Sequence, residues 1–300
     1  MRVIKNVTLG LAVLMLGFVG CTGNEQDKPI DETAKSAKIK ADKKIASNED
    51  IENFLIESFS NNSNIVTLEV KIVESIEIES MKEWNAYIVN LDATVKPDNR
   101  VVKQKMIWFS NGRVITPDLI DMKSGESLKD SVSPEFKPHY YKKENLIYGN
   151  VNAKHKVAIF SDPLCPFCRE FVPKAINFMN QDAEKFAVYY YHFPLPSIHP
   201  AAIPLVKAAI AAELQGYKNA VLNLYKVEVN PRETDVNKIL EAFNKVFKTD
   251  IKKADIESAA VLQHYANDQE IAAEVMVQGT PTLFFNGKLD KSKRQYEKAK

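Results

Sequence analysis

The sequence predicts an α+β chain: a small domain of one helix on an antiparallel sheet, then a larger domain mixing strands and helices. Three observations predict it. Val66, Leu68, Val70 and Ile72 alternate with other residues, the period of a strand, and more β-rich stretches follow. Residues 199–276 carry apolar side chains at helical spacing throughout. Between these regions the apolar run Val157-Ala158-Ile159-Phe160 leads into Cys165-Pro166-Phe167-Cys168 and a helical stretch to Asn180. A length of 300 residues suits about two domains at roughly 150 residues each. The 40 Lys and Arg against 39 Asp and Glu give a net charge of +1. That leaves no basic field for a polyanion, so no nucleic-acid partner is expected. The 45 % hydrophobic and 26 % charged fractions are those of a soluble globular chain.

The N-terminus reads as an export signal over residues 1–20. Arg2 and Lys5 precede an apolar run from Val7 to Val19. As a helix of about 13 residues it would span about 20 Å, short of the roughly 30 Å hydrocarbon core. A signal peptide is therefore the better reading than a membrane span. The run closes Phe18-Val19-Gly20-Cys21, which resembles the lipobox of bacterial lipoproteins, with Phe18 where Leu is commoner. That resemblance implies a lipid on Cys21 and a membrane anchor outside the cytoplasm. A plain secretory signal with an incidental Cys21 is the alternative. Residues 21–48 are dense in charge and poor in large apolar groups, as expected of a solvated tether. A short exposed helix near Thr33–Ile45 is the alternative there.

Residues 49–128 form the first domain. Ile51, Phe54, Leu55 and Phe59 are spaced for one face of a helix over Glu49–Phe59. The strand through Val66–Ile72 is expected to continue in phase to Ile76 and Ile78. Trp84–Thr94 and Val101–Ser110 are rich in aromatic and β-branched residues and read as further strands. Asn111-Gly112 signals a type I′ hairpin, which needs positive φ at both central positions. No motif of catalytic residues stands out there, so packing or dimerisation is the plain role. Residues 129–145, with Pro134 and Pro138, read as a linker. Residues 146–300 form the second domain. Phe186–Phe193 is a strand, Gly216 ends one helix and Asp235 starts another. Leu283-Phe284-Phe285 followed by Asn286-Gly287 is a strand and turn.

Cysteine is the scarce residue, with only Cys21, Cys165 and Cys168 among 300. Three cysteines make no disulfide scaffold, so a site is the better reading. A helix start carries free N–H groups and about half a positive charge. A thiolate there is favoured and becomes a better nucleophile. Pro166 suits the first helical turn, where its missing N–H has no partner to lose. Two intervening residues on one turn bring the sulfurs within disulfide reach. Cys165 is expected to be the exposed attacking thiol and Cys168 the buried resolving thiol. Three plainer readings compete. A structural disulfide would close too small a loop to stabilise much. A zinc site usually needs four ligands, and His139, His155, His192 and His199 show no second paired motif. His192 and His199 are expected to flank a loop. Pairing of the cysteines by chance is the third.

The stretch Tyr148-Gly149-Asn150, Ala153 and Val157 through Cys168 resembles the strand and active-site turn of the thioredoxin-fold Dsb oxidoreductases of the bacterial periplasm. Gly279-Thr280-Pro281-Thr282 is similar to their second hallmark, a threonine before a cis-proline facing the cysteines. The resemblance covers about Leu146 to Gly287. It implies a thioredoxin-like catalytic domain, with Cys165 as nucleophile, Cys168 as resolving thiol, and Pro166 and Phe167 between them. Thr280 and Pro281 would bind substrate. The stretch between Cys168 and Pro281 is far longer than a minimal thioredoxin fold, which implies an inserted helical subdomain over about residues 199–276. The Ala-rich stripe from Ala201 to Ala212 reads as core. Phe109 to Ile115 and Met122 to Gly125 resemble the dimerisation domain of the isomerase-type members, DsbC and DsbG, implying a homodimer. Two departures are visible. Ile159 stands where such proteins often keep a buried acid, so the group that handles the Cys168 proton is unnamed. Phe167 stands where strongly oxidising members carry His, implying a less oxidising pair. The closing strand and helix of the fold are expected to be abbreviated.

The expected function is thiol–disulfide exchange that forms or reshuffles disulfides in exported proteins, with no cofactor beyond the cysteine pair. Unfolded or misfolded exported proteins are the expected substrates. An inner-membrane redox partner would recycle the cysteines. The alternatives are a dedicated disulfide reductant, for example of apocytochrome thiols, a non-catalytic chaperone-like lipoprotein, and a metal carrier using both thiolates.

Overall fold

The computed structural model describes residues 46–299. The export signal, Cys21 and the expected tether up to residue 45 lie outside the described residues. Helix α1 (Asn48–Ser60) opens with a capping box. The Ser47 hydroxyl accepts from the Asp50 N–H and the Asp50 carboxylate accepts from the Ser47 N–H. Ile51, Leu55 and Phe59 are its buried stripe, while Phe54 faces solvent.

Strands β1 (Ile65–Glu77), β2 (Asn85–Val95), β3 (Arg100–Ser110) and β4 (Ile115–Thr116) form an antiparallel sheet in sequence order. The helix packs on one face, against Val70, Tyr87, Val89 and Leu91. The pairing of β1 with β2 slips at Ile65/Thr67 and again at Ile72/Glu74. The first slip turns Val66 out to solvent, away from its expected face. The second inserts Val73, so everything beyond it changes face. Ile76 and Ile78 therefore leave the side of Val70 and pack on the opposite one with Ala86, Ile88, Ile107 and Phe109.

The two Asn-Gly turns differ. At Asn111-Gly112 only the glycine takes positive φ, at 81°. Ser110 pairs with Ile115, so the loop is longer than a two-residue hairpin. The Asn111 side-chain oxygen closes it by accepting from the Arg113 and Val114 N–H groups. At Asn286-Gly287 both residues have positive φ, 50° and 87°, between the paired Phe285 and Lys288.

Within residues 129–145 the chain is anchored at Phe136. Short 3-10 turns span Leu128–Ser131, Pro138–Tyr140 and Lys143–Asn145. Phe136 is fully buried among Tyr140, Tyr141, Phe160, Tyr191 and Phe284, and its N–H donates to the Gly287 carbonyl. Aromatic burial holds what the two prolines alone suggested was a linker.

The second sheet comprises β5 (Leu146–Gly149), β6 (His155–Ser161), β7 (Phe186–His192), β8 (Thr282–Phe285) and β9 (Lys288–Leu289), in the order β5-β7-β6-β8-β9. Parallel β6 and β7 are joined by α2 (Pro166–Met179); β5, β8 and β9 pair antiparallel. Central β6 and β7 are buried on both faces, hence their continuous apolar character. Helix α2 covers one face through Val172, Ala175, Ile176 and Met179. Between β7 and β8 the chain forms α3 (Ala202–Leu214), α4 (Ala220–Leu224), α5 (Val236–Phe247), α6 (Lys253–Ile256) and α7 (Ala259–Glu274). The first four have their own core, with the Ala201–Ala212 stripe inside it. Helix α7 is shared. Val261 joins that core, whereas Ile271 and Ala272 cover the second face of the sheet. The helical region is thus an insertion through α6 and a structural layer of the sheet by the end of α7. Helix α8 (Gln295–Lys298) is short and places Tyr296 against Phe171 and Phe178 of α2.

Two predictions arise here. Gly149 has φ +82°, and a Cβ there would overlap the Phe186 carbonyl of the neighbouring strand. Gly149→Ala should destabilise the protein by about 2–3 kcal/mol, read as a lower chemical-denaturation midpoint. Asp268 of α7 is fully buried and accepts from the His192 backbone N–H and the Asn145 side chain. Burial pushes its carboxyl up to about 8, against the pull of those two hydrogen bonds. The unfolded group titrates near 3.9, so between about pH 4 and 8 the folded state holds a proton that the unfolded chain has released. This contribution is full below about pH 4 and is lost as pH rises through 8. Unfolding free energy should therefore fall from pH 5 to 8 more steeply than in Asp268→Asn, by roughly 1 kcal/mol per pH unit.

Candidate active site

The apolar strand β6 ends at Ser161, at one end of the sheet, and the chain then turns through Asp162, Pro163 and Leu164 into α2. Cys165 is the N-cap residue, with extended backbone, and Pro166 occupies the first helical turn. Both cysteines are free thiols. Cys168 is 0 % exposed, as expected, but Cys165 is only 6 % exposed, so it is buried and not the exposed thiol that a helix-terminal position alone suggests. The shield comes from across the site, where the Cys165 thiol lies 3.8 Å from the Thr280 carbonyl oxygen. Phe167 is the exposed member of the motif, at 74 %.

Thr280-Pro281 is a cis peptide at the entry to β8, the central strand's other neighbour. The site residues read from the sequence, Cys165, Pro166, Phe167, Cys168, Thr280 and Pro281, therefore meet at one end of the sheet. Cys21 lies outside the described residues. The Thr280 hydroxyl is buried. Burial pushes the Cys168 thiol up to about 11, with the Ser161 and Thr280 hydroxyls and the Asp162 backbone pulling it down and Cys165 pushing it further up. Ile159 is fully buried among apolar neighbours. No acid takes the position it occupies.

Several residues that sequence reasoning passed over hold this turn. Asp162 is fully buried; one carboxylate oxygen accepts from the Leu164 N–H at 2.7 Å. The other accepts from the Leu195 N–H at 2.8 Å and meets His199 Nδ1 at 2.9 Å. His192 and His199 do flank a loop, and His199 also closes it onto the active-site turn. Arg169 donates to the Pro163 and Val227 carbonyls, both at 3.1 Å, tying the turn to the helical insertion. Ser161 lies 2.6 Å from the Tyr225 hydroxyl, itself 2.8 Å from that of Tyr190. An Asp-Pro pair ahead of the motif was a legible turn signal. Nothing near Tyr225 in the chain marked its role.

A groove of about 470 Å³ borders Leu164 and Arg169, with Val227, Val229 and Pro231 on its far wall. A second, of about 380 Å³, runs along Gly279–Leu283 to Leu289 and Lys291. The described residues contain no cluster of three or more His, Cys, Asp or Glu placed to hold a metal ion. None of the described helices is long and apolar enough to cross a membrane. The arrangement sets two free thiols at the start of α2, with the cis Thr280-Pro281 bond facing Cys165.

Among curated proteins the chain is 27 % identical over 146 residues to a Na(+)/H(+) antiporter NhaA 1 of Mycolicibacterium gilvum, covering 47 % of this chain and 23 % of the antiporter. It thus spans under a quarter of that relative's length. Among solved structures it is similar to the thiol-disulfide exchange protein alpha-DsbA2 of Wolbachia pipientis, with 18 % identity, a TM-score of 0.43, and coverage of 55 % of this chain and 90 % of that one. A periplasmic thioredoxin-like protein of Salmonella enterica serovar Typhimurium gives 21 % identity, a TM-score of 0.39, and coverage of 52 % and 79 %. The sequence profile of the family described as Thioredoxin matches residues 142–300, just the part that carries the cysteine pair and the cis-proline loop, and the chain belongs to that family.

Proposed function

We propose that this protein is a thiol–disulfide oxidoreductase that forms or reshuffles disulfides in exported proteins through Cys165 and Cys168. The observation that carries the reading is the seating of two free thiols at the start of α2, with the Cys165 thiol against the carbonyl of Thr280 and the cis bond to Pro281 next to it. Cys165 attacks a client disulfide, forming a mixed disulfide and releasing the first client thiol. Cys168 then attacks Cys165, the mixed bond breaks, and the second client thiol leaves. The cysteine pair is oxidised and the client disulfide reduced; the reverse sequence inserts a disulfide. The backbone beside Pro281 aligns an extended client strand, and the exposed Phe167 ring offers apolar contact.

The chain's first twenty-one residues support export and a lipid on Cys21, which would place the domain in the periplasm at a membrane surface. Clients there are unfolded or misfolded exported proteins, and an inner-membrane redox partner resets the pair. The N-terminal domain favours the isomerase branch, of DsbC and DsbG kind. It has its own core, carries no cysteine, and exposes the long edge strand β1, a surface suited to pairing with a second copy.

Cys165→Ser should abolish insulin reduction and the refolding of a scrambled disulfide client, whereas Cys168→Ser should accumulate mixed disulfides visible on non-reducing gels. Full activity in Cys165→Ser would overturn the redox reading. Light scattering of the chain from Glu25 onward should give twice the monomer mass; a monomer would remove the support for an isomerase.

A further inference from the structure

The resolving step makes a demand on Cys168 that its surroundings do not obviously meet. Its sulfur must become a thiolate, yet it is fully buried and no acid stands at Ile159 to take the proton. Cys168 packs in one core with Tyr190 and Tyr225, and the Ser161 and Thr280 hydroxyls are among the groups that favour its thiolate. One of those hydroxyls, Ser161 Oγ, starts a buried chain. It lies 2.6 Å from the Tyr225 hydroxyl, which lies 2.8 Å from the Tyr190 hydroxyl. These are full-strength O–H···O distances. Ser161 is 0 %, Tyr190 2 % and Tyr225 6 % exposed, so water does not substitute for any link.

We propose that Ser161, Tyr225 and Tyr190 form a hydroxyl relay that stabilises the Cys168 thiolate during resolution, with Ser161 acting on the sulfur and the two tyrosines as positioning residues. The chemistry sets the direction of the chain. A thiolate only accepts, so Ser161 donates to it. The Ser161 oxygen then accepts from Tyr225, and the Tyr225 oxygen accepts from Tyr190. Each donor polarises the next, an effect that a dry surrounding strengthens. When Cys168 is a thiol the same chain is free to reverse. The buried Thr280 hydroxyl is a second group that favours the Cys168 thiolate. In the step itself Cys168 attacks Cys165, and the proton that Cys168 gives up is balanced by the one the client sulfur gains. The Cys165–Cys168 bond forms, the bond from Cys165 to the client sulfur breaks, and the departing client thiolate takes up one proton.

This inference rests on the redox reading above, and its test separates the two. Reduced protein is mixed with excess 5,5′-dithiobis(2-nitrobenzoate) in a stopped-flow instrument from pH 6 to 10. Cys165 releases a first equivalent of thionitrobenzoate in a phase whose rate depends on reagent concentration. Cys168 releases the second by closing the disulfide, in a phase that does not. Tyr225→Phe and Ser161→Ala should affect the first phase less than the second. The second should slow about tenfold at pH 7, with its profile moved about one unit to higher pH. Ser161→Thr, which keeps a hydroxyl, should restore it, and carries the test with Ser161→Ala if Tyr225→Phe does not fold. A second phase unaltered in the variants, or slowed equally at every pH, would overturn the relay while leaving the redox reading intact. A wild-type protein with no concentration-independent second phase would instead remove the redox reading and the relay with it.

Discussion

The active end of the molecule depends on one buried carboxylate. Asp162 accepts from the N–H groups of Leu164 and Leu195 and holds His199, with no solvent to take its place. That arrangement ends β6, shapes the turn and sets where α2 begins, and therefore where Cys165 sits. Each buried donor orphaned by its loss costs about 1–3 kcal/mol, a large share of a domain's net stability. A thiol pair works only when its spacing and its facing strand are held closely.

The helical insertion belongs to this same construction. Leu164, from the turn itself, is buried in the insertion's core. Arg169 reaches from the first turn of α2 to the Val227 carbonyl, and Tyr225 reaches back to Ser161. The insertion is thus part of the floor of the site as well as a wall beside it. The N-terminal domain meets the opposite end of the same path. Lys105 of β3, largely buried, bonds the Glu274 carboxylate and carbonyl at 2.7 and 2.9 Å at the end of α7. Met276, just beyond, packs into the N-terminal core with Ile76 and Ile78. From there the chain runs directly into the Thr280-Pro281 loop. Two structural units therefore converge on the two halves of the site, one on the cysteine turn and one on the segment before the cis-proline.

What the sequence alone determined was whatever short-range physics settles. Strand period, helical spacing, the Asp235 cap, the glycine behind α3 and the strand-to-helix context of Cys165-Pro166-Phe167-Cys168 are local facts, legible from neighbours a few residues apart. The two site motifs were legible for the same reason, each being a compact run of unusual residues. Local rules failed where one extra residue or one distant partner intervened. The bulge at Val73 reverses the face of Ile76 and Ile78, and period alone carries no sign of a slip in pairing. Asn111-Gly112 has the letters of a tight hairpin, but the register of β3 and β4 makes the loop longer. Phe136 looked like linker because its aromatic partners lie in strands far along the chain. Tertiary structure alone decided the shielding of Cys165 by Thr280, the closure of Asp162 on His199, and the meeting of Ser161, Tyr190 and Tyr225. Such contacts join residues that no local pattern relates, and only packing of the strands against the insertion brings them within hydrogen-bonding distance.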